Sequence, residues 1–255
     1  MPTTPWSRYL ETYHREHPGI TERAFEHARD ARLGSPHDWL VDAVPTEAGD
    51  VLDVACGNAV LQPRLSAAAS YLGVDISQSE LRAARARGRG PVIQADARAL
   101  PLPDAAVDTV VSSMGLMLLH PLSAAVGEIA RVLRPHGTAA FLLPAAWPVR
   151  PSDVRPLLAL TFHLHGPGSM PQLVTRRHLT RLLREAGLTV VHADTHRFEF
   201  PLRDRHDAHL AVQSLYTPRR TPAQLAAAEQ ALTALAGPDR HLPVPLLRLT
   251  ARKNH

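Results

Sequence analysis

Lysine, cysteine and long apolar runs are scarce in this chain of 255 residues. Lys253 is the only lysine, so arginine carries nearly all of the positive charge. The 28 basic side chains exceed the 24 acidic ones, which gives a formal net charge of +4. Because a basic balance alone is weak evidence for a nucleic-acid partner, we attribute the arginine bias and the 23 prolines to genome composition.

The single cysteine, Cys56, excludes an internal disulfide and is typical of a reducing compartment, so we expect a cytoplasmic protein. The sequence shows no N-terminal apolar segment of a signal peptide and no run of about 20 apolar residues, so we expect neither secretion nor a membrane span. The 15 histidines include close pairs, but no acidic cluster joins them, and no metal site is predicted.

The chain is organised around the stretch from Val51 to Ala59. Its first half, Val51–Val54, is an apolar run typical of a strand buried on both faces of a parallel sheet. The chain then turns through small residues into Val60–Leu65, the expected opening of a helix. Small residues at such a turn let a ligand approach the backbone, and a helix N-terminus offers unpaired N–H groups.

A second strand, Tyr71–Asp75, ends in a carboxylate 22 residues after Asp53 (75 − 53). An acidic residue about 20 residues past a glycine turn, at the end of the next strand, can accept both hydroxyls of a ribose. This spacing predicts a ligand that contains a nucleoside.

Strands and helices continue to alternate after this point, as in a doubly wound sheet. Pro91–Ala97 predicts a third strand, with Asp96 near its end, and Ala106–Ser113 predicts a fourth. Ala125–Gly137 predicts a helix stopped by proline and glycine, before a fifth strand at Thr138–Leu143.

The motifs VLDVACGNA, YLGVDIS, IQADARALPLPDAAVDTVVSS and RVLRPHG resemble those of class I S-adenosylmethionine-dependent methyltransferases. The resemblance covers residues 50–145 and is strongest to the group of ubiquinone and menaquinone methyltransferases and small-molecule tailoring enzymes. It implies an α/β, Rossmann-like fold with a seven-stranded, mostly parallel sheet in the order 3-2-1-4-5-7-6. It also implies S-adenosyl-L-methionine as the cofactor.

We expect a single domain in three parts: an N-terminal helical lid (1–45), a cofactor-binding core (46–147) and a part that completes the sheet (148–255). That last part should carry substrate-cap insertions at about 148–174 and 202–240. In the lid, we expect an amphipathic helix over residues 5–17, then a helix from an N-cap at Thr21 to Leu33, then one capped by Ser35. In the last part, we expect helices at Asp153–His165, Arg176–Ala186, Arg205–Tyr216 and Pro222–Leu235, a strand at Leu188–Phe200 and an antiparallel strand at Pro243–Thr250.

The resemblance also assigns cofactor contacts. Asp75 is expected to bind the ribose hydroxyls, Ile76 to pack on adenine, and Asp96 to accept from the adenine amine. An alternative is that both carboxylates only cap the following helices, but their place at strand carboxyl ends favours binding. The full set of expected cofactor contacts is Asp53, Ala55, Cys56, Gly57, Asn58, Asp75, Ile76, Ser77, Asp96, Ala97, Ser113 and Met114.

Two positions depart from the family pattern: Ala59 stands where glycine is usual, and His136 replaces the first glycine of a Pro-Gly-Gly turn. For a general base, His120 follows the fourth strand, and histidine accepts protons near neutral pH. A packing or capping role for His120 is equally open. Tyr13 and His14 in the lid are further candidates, and some acceptors need no protein base.

The acceptor is expected to be a small molecule, such as a secondary metabolite or its precursor, with no nucleic acid or membrane as partner. Enzymes that methylate base amines typically carry Asp/Asn-Pro-Pro-aromatic after the fourth strand, where this chain has Ser112–Gly115. Cytosine-carbon methyltransferases place a Pro-Cys nucleophile there, whereas Cys56 lies in the glycine turn. Two alternatives stay open: a cyclisation or elimination without methyl transfer, and a non-catalytic partner in a biosynthetic complex. Homodimerisation or a partner protein is likewise left open.

Overall fold

A computed structural model describes residues 5–46, 48–164 and 174–255. Within these ranges seven strands form one sheet in the order β3-β2-β1-β4-β5-β7-β6, which confirms the expected topology. The strands are β1 Asp50–Val54, β2 Ser70–Asp75, β3 Val92–Gln94, β4 Val107–Ser113, β5 Leu133–Pro144, β6 Leu188–Pro201 and β7 His241–Lys253.

Helices precede the sheet, connect its strands and cover its faces. In the described part of the chain the α-helices are α1 Pro5–Glu16, α2 Ile20–His27, α3 Pro36–Val41, α4 Gln78–Ala86, α5 Leu122–Val132, α6 Val154–His163, α7 Arg176–Glu185, α8 Arg205–Gln213 and α9 Pro222–Thr233. Short 3-10 helices lie at Gln62–Leu65, Leu116–Leu118 and Pro151–Asp153.

The central strands run parallel, so their carboxyl ends meet at one edge of the sheet. β1 pairs with β2 in a register that places Val54 opposite Val74, and it pairs on its other side with β4. The side chains from Val51 to Val54 are buried, as expected of a strand covered on both faces. The turn that follows β1 therefore lies beside Asp75 at the end of β2 and Ser113 at the end of β4.

The last strand is antiparallel, as expected. β7 lies between β5 and β6, with Ala140 opposite Thr250 on one side and Phe198 opposite Val244 on the other. It is longer than the predicted Pro243–Thr250 because both neighbours hydrogen-bond along most of its length.

The prediction of a helix from Val60 was wrong about the type of helix. The glycine turn is followed by only a short 3-10 helix, at Gln62–Leu65. Pro63 lacks a backbone N–H and cannot support a continued α-helical ladder at this point. In addition, β2 begins at Ser70, which leaves no room for further helical turns. A long helix N-terminus therefore does not face this turn.

The expected helix at Ala125–Gly137 was wrong at its end. α5 stops at Val132 and β5 begins at once, so the Pro135–Gly137 segment belongs to the strand and does not stop the helix. The β4–β5 register shifts here, because Val107 pairs with Leu133 while Thr109 pairs with Thr138. The intervening residues form a bulge in which His136 has φ of 64°.

The second helix of the lid was also misplaced. α2 runs from Ile20 to His27, and its N-cap is Gly19, in the left-handed conformation, rather than Thr21. The chain leaves the helix early because Arg29 pairs with Glu199 of β6 in an isolated bridge. The next cap was correct, since Ser35 and Asp38 form a reciprocal capping box at the start of α3.

The remaining boundaries agree more closely. Ser77, Thr175 and Thr221 accept the N-cap hydrogen bonds of α4, α7 and α9. β3 is shorter than predicted, so Asp96 lies in the turn beyond it. The expected end of a helix at His165 and part of the 148–174 insertion lie outside the described residues. The division into lid, core and cap stays a prediction.

No helix in the three described ranges is long and apolar enough to cross a membrane. In the same ranges, no group of three or more histidine, cysteine, aspartate or glutamate side chains is placed to hold a metal ion.

Candidate functional site

The turn after β1, which we call the glycine turn (Ala55–Ala59), is built from left-handed backbone. Ala55, Gly57 and Ala59 have φ values of 56°, 53° and 55°. An L-residue in this conformation costs about 1–2 kcal/mol relative to the right-handed one, and such strain concentrates at functional sites. At Gly57 there is also no space, since a Cβ would stand 2.5 Å from Glu22 Oε1. A side chain there would have to displace the Glu22 carboxylate and adopt a left-handed backbone, which glycine does at the lowest cost.

Asp75 ties the glycine turn to the end of β2. One carboxylate oxygen accepts from Gly57 N at 2.8 Å, and the other accepts from Ser77 N at 2.7 Å. Burial raises the pKa of Asp75, and these two hydrogen bonds limit the rise. Beside it the Ile76 side chain is 64% exposed, an unusual position for a large apolar group. The structure thus brings four expected contacts together: Gly57, Asp75, Ile76 and Ser77.

Asp53 lies beneath the glycine turn and is 1% exposed. Tyr71 donates to its Oδ2 at 2.9 Å, but its Oδ1 has no hydrogen-bond partner. Burial, together with the charges of Asp75 and Glu22, raises the pKa of Asp53 to about 8. An unpaired buried carboxylate oxygen is expensive to maintain, so it marks a place where a ligand can complete the structure.

A small cavity of about 30 Å³ lies between the lid, the glycine turn and the end of β4. Met114, at the end of β4, is another non-glycine residue with positive φ, at 60°. The wall contains five of the expected contacts, among them both residues expected at the end of β4. The lining residues are Thr21, Glu22, Phe25, His37, Asp53, Ala55, Cys56, Val60, Leu61, Ser113 and Met114.

The lid contributes charged residues that the sequence reasoning did not identify as a group. His14 Nδ1 lies 3.1 Å from Glu80 Oε1, and Gly19 N donates to the same oxygen at 3.0 Å. Burial lowers the pKa of His14, but the hydrogen bond and charge of Glu80 outweigh it, so the net shift is upward. Burial and the Glu80 charge raise the pKa of Glu22 to about 7.

Tyr13 connects the lid to the cap. Its hydroxyl donates to the backbone oxygen of Gln213 at 2.8 Å, and its ring packs 5.0 Å from the ring of Tyr216, centroid to centroid. The residue is 6% exposed, and burial raises its pKa. Because its hydroxyl donates to a backbone carbonyl, the geometry of Tyr13 is that of a residue that holds the lid to the cap. Its role as a base stays a prediction without direct geometric support.

His120 is exposed, and its backbone oxygen accepts from Arg98 Nη1 at 2.6 Å. It is not among the residues that line the cavity. Its role as a general base also stays a prediction.

Two residues expected to contact the cofactor, Asp96 and Asn58, are hydrogen-bonded to arginine side chains in this structure. Arg98 grips Asp96 through Nε–Oδ1 at 2.9 Å and Nη2–Oδ2 at 2.6 Å, and this hydrogen bonding lowers the pKa of Asp96. Asn58 is 3% exposed and accepts from Arg89 Nη1 at 3.1 Å. Ala97, beside Asp96, is buried.

His37 was missed by the sequence reasoning, although it lines the cavity. It is 1% exposed, and its Nδ1 lies 2.8 Å from Glu26 Oε1, which Arg64 also binds. Burial raises the pKa of Glu26, but His37 and Arg64 outweigh it and hold that pKa at about 2. Burial lowers the pKa of His37, and the hydrogen bond and charge of Glu26 offset this only in part. Its sequence context, Pro-His-Asp at a helix start, carries no signal of this role.

A second cleft, of about 380 Å³, lies among the segment after β5, the end of β6 and the start of β7. We call it the cap cleft. Its floor is a buried ion pair in which Arg197 Nε donates to Asp153 Oδ2 at 2.8 Å. Arg197 also reaches Glu199 at 2.6 Å, and Arg150 binds the same carboxylate. The buried groups of this cleft are therefore paired.

Comparison with known proteins agrees with this architecture. Residues 52–141 match the family of the methyltransferase domain. The chain is 32% identical over 152 residues to malonyl-[acyl-carrier protein] O-methyltransferase of Methylococcus capsulatus, which covers 56% of this chain and 53% of that protein. It is 38% identical over 91 residues to demethylmenaquinone methyltransferase of Mycolicibacterium gilvum, which covers 35% of this chain and 40% of that protein.

Among solved structures, the [4+2]-cyclase SpnF shares the fold with a TM-score of 0.63 at 20% identity, covering 98% of this chain and 96% of that one. Residues 52–141 match a methyltransferase domain and the sheet has the order expected of class I methyltransferases, so both findings support the resemblance seen in the sequence. The matched segments span about a third to a half of the curated relatives' lengths.

Proposed function

We propose that this protein is an S-adenosylmethionine-dependent methyltransferase that acts on a small molecule, a secondary metabolite or its precursor. The observation that carries the proposal is the position of Asp75. Its carboxylate lies at the carboxyl end of β2, bridges the amides of Gly57 and Ser77, and stands beside the exposed Ile76. This is the place in an open α/β sheet where a ribose is bound.

The residues present fit the cofactor at two further points. Asp53 Oδ1 is buried and unpaired in the cavity wall, so a cationic or hydrogen-bonding group of a ligand would satisfy it. Gly57 leaves the backbone of the turn accessible where a side chain would have to displace the Glu22 carboxylate. The departure at Ala59 does not obstruct the cavity, because its methyl group is fully buried and is not part of the lining.

In this assignment Asp75 holds the ribose hydroxyls, Ile76 supports the adenine, and Ser113 and Met114 face the methionine end. Bound S-adenosylmethionine supplies an electrophilic methyl group on a sulfonium sulfur. The protein then contributes positioning and water exclusion, which can provide much of the acceleration of such a displacement. The lid performs the exclusion, since α1 and α2 cover the glycine turn through the contacts of Gly19 and His14 to Glu80.

Asp96 is proposed to accept from the adenine amine with lone pairs left by Arg98, and His120 is kept as the proposed base. The segment Ser112–Gly115 lacks the motif of enzymes that methylate nucleic-acid bases, which supports a small-molecule acceptor. A cytoplasmic location is supported by the single cysteine, which is buried.

Calorimetric titration of S-adenosylmethionine and S-adenosylhomocysteine tests the proposal. We expect the wild type to bind both and Asp75→Ala to lose at least about tenfold in affinity for each, since a charge-assisted pair of hydrogen bonds is removed. Asp239→Ala, in the cap cleft, is the matched control and should bind as the wild type does. A wild-type protein that binds neither molecule would refute the proposal.

A second candidate is a cyclisation or elimination without methyl transfer, on the same fold. The fold is similar to that of a [4+2]-cyclase, and this similarity is the reason for retaining the second candidate. Product formed without incorporation of label from methyl-labelled cofactor would support this candidate. Stoichiometric incorporation of the label into product would exclude it.

A further inference from the structure

Carboxyl groups from the lid and the core converge on the glycine turn, and two of their oxygens are unpaired. A Cβ built at Gly57 would stand 2.5 Å from Glu22 Oε1 and 4.0 Å from Glu80 Oε2, so both oxygens face the same point. Glu80 is 1% exposed, and its Oε2 has no hydrogen-bond partner. Asp53 Oδ1, in the wall of the same cavity, is likewise buried and unpaired. Glu22 lines this cavity and approaches the turn from above.

The basic side chains near Glu22 are already bound to other residues. His14 on α1 shares its Nδ1 with Glu80 Oε1. Arg89, in the loop after α4, donates to Asn58, and His37 on α3 is bound to Glu26. Burial raises the pKa of Glu22 most, and the negative charges of Glu80 on α4 and Asp75 on β2 raise it further.

The other titratable groups around Glu22 are neutral. Burial raises the pKa values of Tyr13 on α1, Tyr216 after α8 and Cys56 in the turn, so none of them carries charge near pH 7. Among the described residues no cation forms an ion pair with Glu22, and His14, whose charge lowers the pKa of Glu22, is bound to Glu80. Glu22 is partly buried, so its charged form is costly, and a proton or a cationic ligand reduces that cost.

We propose that Glu22 determines specificity for the charged form of the cofactor: it holds a proton while the cavity is empty and releases it to meet the positive charge of S-adenosylmethionine. This inference rests on the proposed function and deepens it. S-adenosylmethionine carries a sulfonium charge that the product S-adenosylhomocysteine lacks. A negative Glu22 therefore favours the reactant over the product, which helps the product to leave after methyl transfer.

The direction of the pH dependence follows from the environment of Glu22. Its pKa is raised to about 7 in the free protein, and a nearby positive charge lowers it. Binding of S-adenosylmethionine at pH 7 should thus release about half a proton from Glu22. Affinity for S-adenosylmethionine should rise as the pH passes upward through 7.

The experiment is isothermal titration of both nucleosides into the wild type, Glu22→Gln and Glu11→Gln, at pH 6, 7 and 8. Each titration is repeated in two buffers of different ionisation enthalpy, so that the number of protons released is measured directly. Glu11 is an exposed residue of α1, which makes Glu11→Gln a matched control in the same lid. Circular dichroism checks that every variant is folded.

We expect Glu22→Gln to release fewer protons than the wild type and to lose about tenfold in affinity for S-adenosylmethionine at pH 8. Its affinity for S-adenosylhomocysteine should change by less than about twofold, and Glu11→Gln should match the wild type. Equal losses for both nucleosides, or unchanged proton release, would overturn the inference while leaving the proposed function intact.

Two other outcomes are decisive. A wild type that binds neither nucleoside overturns the proposed function and this inference with it. If Glu22→Gln does not fold, the wild type and Glu22→Asp decide. Release of no proton by the wild type between pH 6 and 8, or a wild-type preference for S-adenosylmethionine that does not change over that range, overturns the role of Glu22.

Discussion

The cavity beneath the lid and the cap cleft both contain buried charged residues. These residues are paired with one another in the cap cleft and are left partly unpaired at the cavity. In the cap cleft, Asp153 and Arg197 are 2% and 8% exposed and satisfy one another through two hydrogen bonds. In the cavity wall Asp53 Oδ1 is buried with no partner, and so is Glu80 Oε2 beside Gly57. The protein thus completes one site by itself and leaves the other to be completed by something else.

The pKa shifts record the same difference. Hydrogen bonds from Arg197 lower the pKa of Asp153, whereas burial raises the pKa of Asp53 to about 8. A structural ion pair favours the charged form of the acid, and an unpaired buried acid favours the neutral form. Strongly raised carboxyl pKa values in a cavity are therefore the better guide to a binding site here.

The largest expected effect comes from breaking the pair in the cap cleft. Arg197→Met leaves Asp153 buried without its cation, so the free energy of unfolding should fall by about 3–5 kcal/mol. Urea denaturation measures this loss. Arg155→Met, an exposed position in the same cleft, is the control and should stay within about 0.5 kcal/mol of the wild type. Equal stability of Arg197→Met and the wild type would mean that the two regions do not differ as described.

Removing the charge of Asp53, the unpaired acid in the cavity, should increase the free energy of unfolding at high pH. Because the pKa of Asp53 is raised in the folded state, the folded protein binds more protons than the unfolded chain between about pH 4 and 8, and stability falls as pH rises through that window. Asp53→Asn keeps an acceptor for Tyr71 and removes this loss. At pH 9 it should be more stable than the wild type by roughly 2–4 kcal/mol.

Chemical denaturation of the wild type and Asp53→Asn at pH 5, 7 and 9 measures the difference. The wild type should fall further below Asp53→Asn from pH 5 to pH 9, because the loss of wild-type stability begins near pH 4. A wild type whose stability rises from pH 5 to 9 at least as steeply as that of Asp53→Asn would show that Asp53 is charged throughout.

A smaller effect is expected where the lid meets the cap. Tyr13→Phe leaves the Gln213 carbonyl without its donor and should cost about 1–2 kcal/mol, with faster hydrogen exchange in α1. If Tyr13 only holds the lid to the cap, the methyl-transfer rate should fall less than tenfold. A loss of about 10² or more in kcat at unchanged lid protection would identify Tyr13 as the base instead.

The smallest effect concerns backbone strain in the glycine turn. Ala55→Gly removes a left-handed alanine, and the gain is partly offset by the greater flexibility of glycine in the unfolded chain, so we expect a stabilisation of about 0.5 kcal/mol. Ala105→Gly, exposed with φ of 51°, is the control for the backbone contribution alone. Thermal melting compares them. A destabilised Ala55→Gly beside a stabilised Ala105→Gly would show that the Ala55 methyl group is needed for packing.

Local patterns predicted most elements and several caps, because Ser35, Ser77, Thr175 and Thr221 act on amides only a few residues away. Two of the errors arose where pairing with a distant strand decided the end of a helix. Pro135 and Gly137 were predicted to end the helix. Instead, Leu133 pairs with Val107 of β4 and belongs to β5, so α5 ends before Pro135. Likewise, α2 ended early because Arg29 pairs with Glu199 of β6.

By itself, the sequence determined the order of strands and helices, the glycine turn and the acid at the end of β2. These features depend on apolar periodicity and on residue spacing along the chain. Only the tertiary structure decided that Glu22 covers Gly57, that His14 binds Glu80 and that Tyr13 reaches Gln213. These contacts join residues far apart in sequence, so no local spacing encodes them. Burial, which leaves some carboxylates unpaired, exists only once the chain is folded.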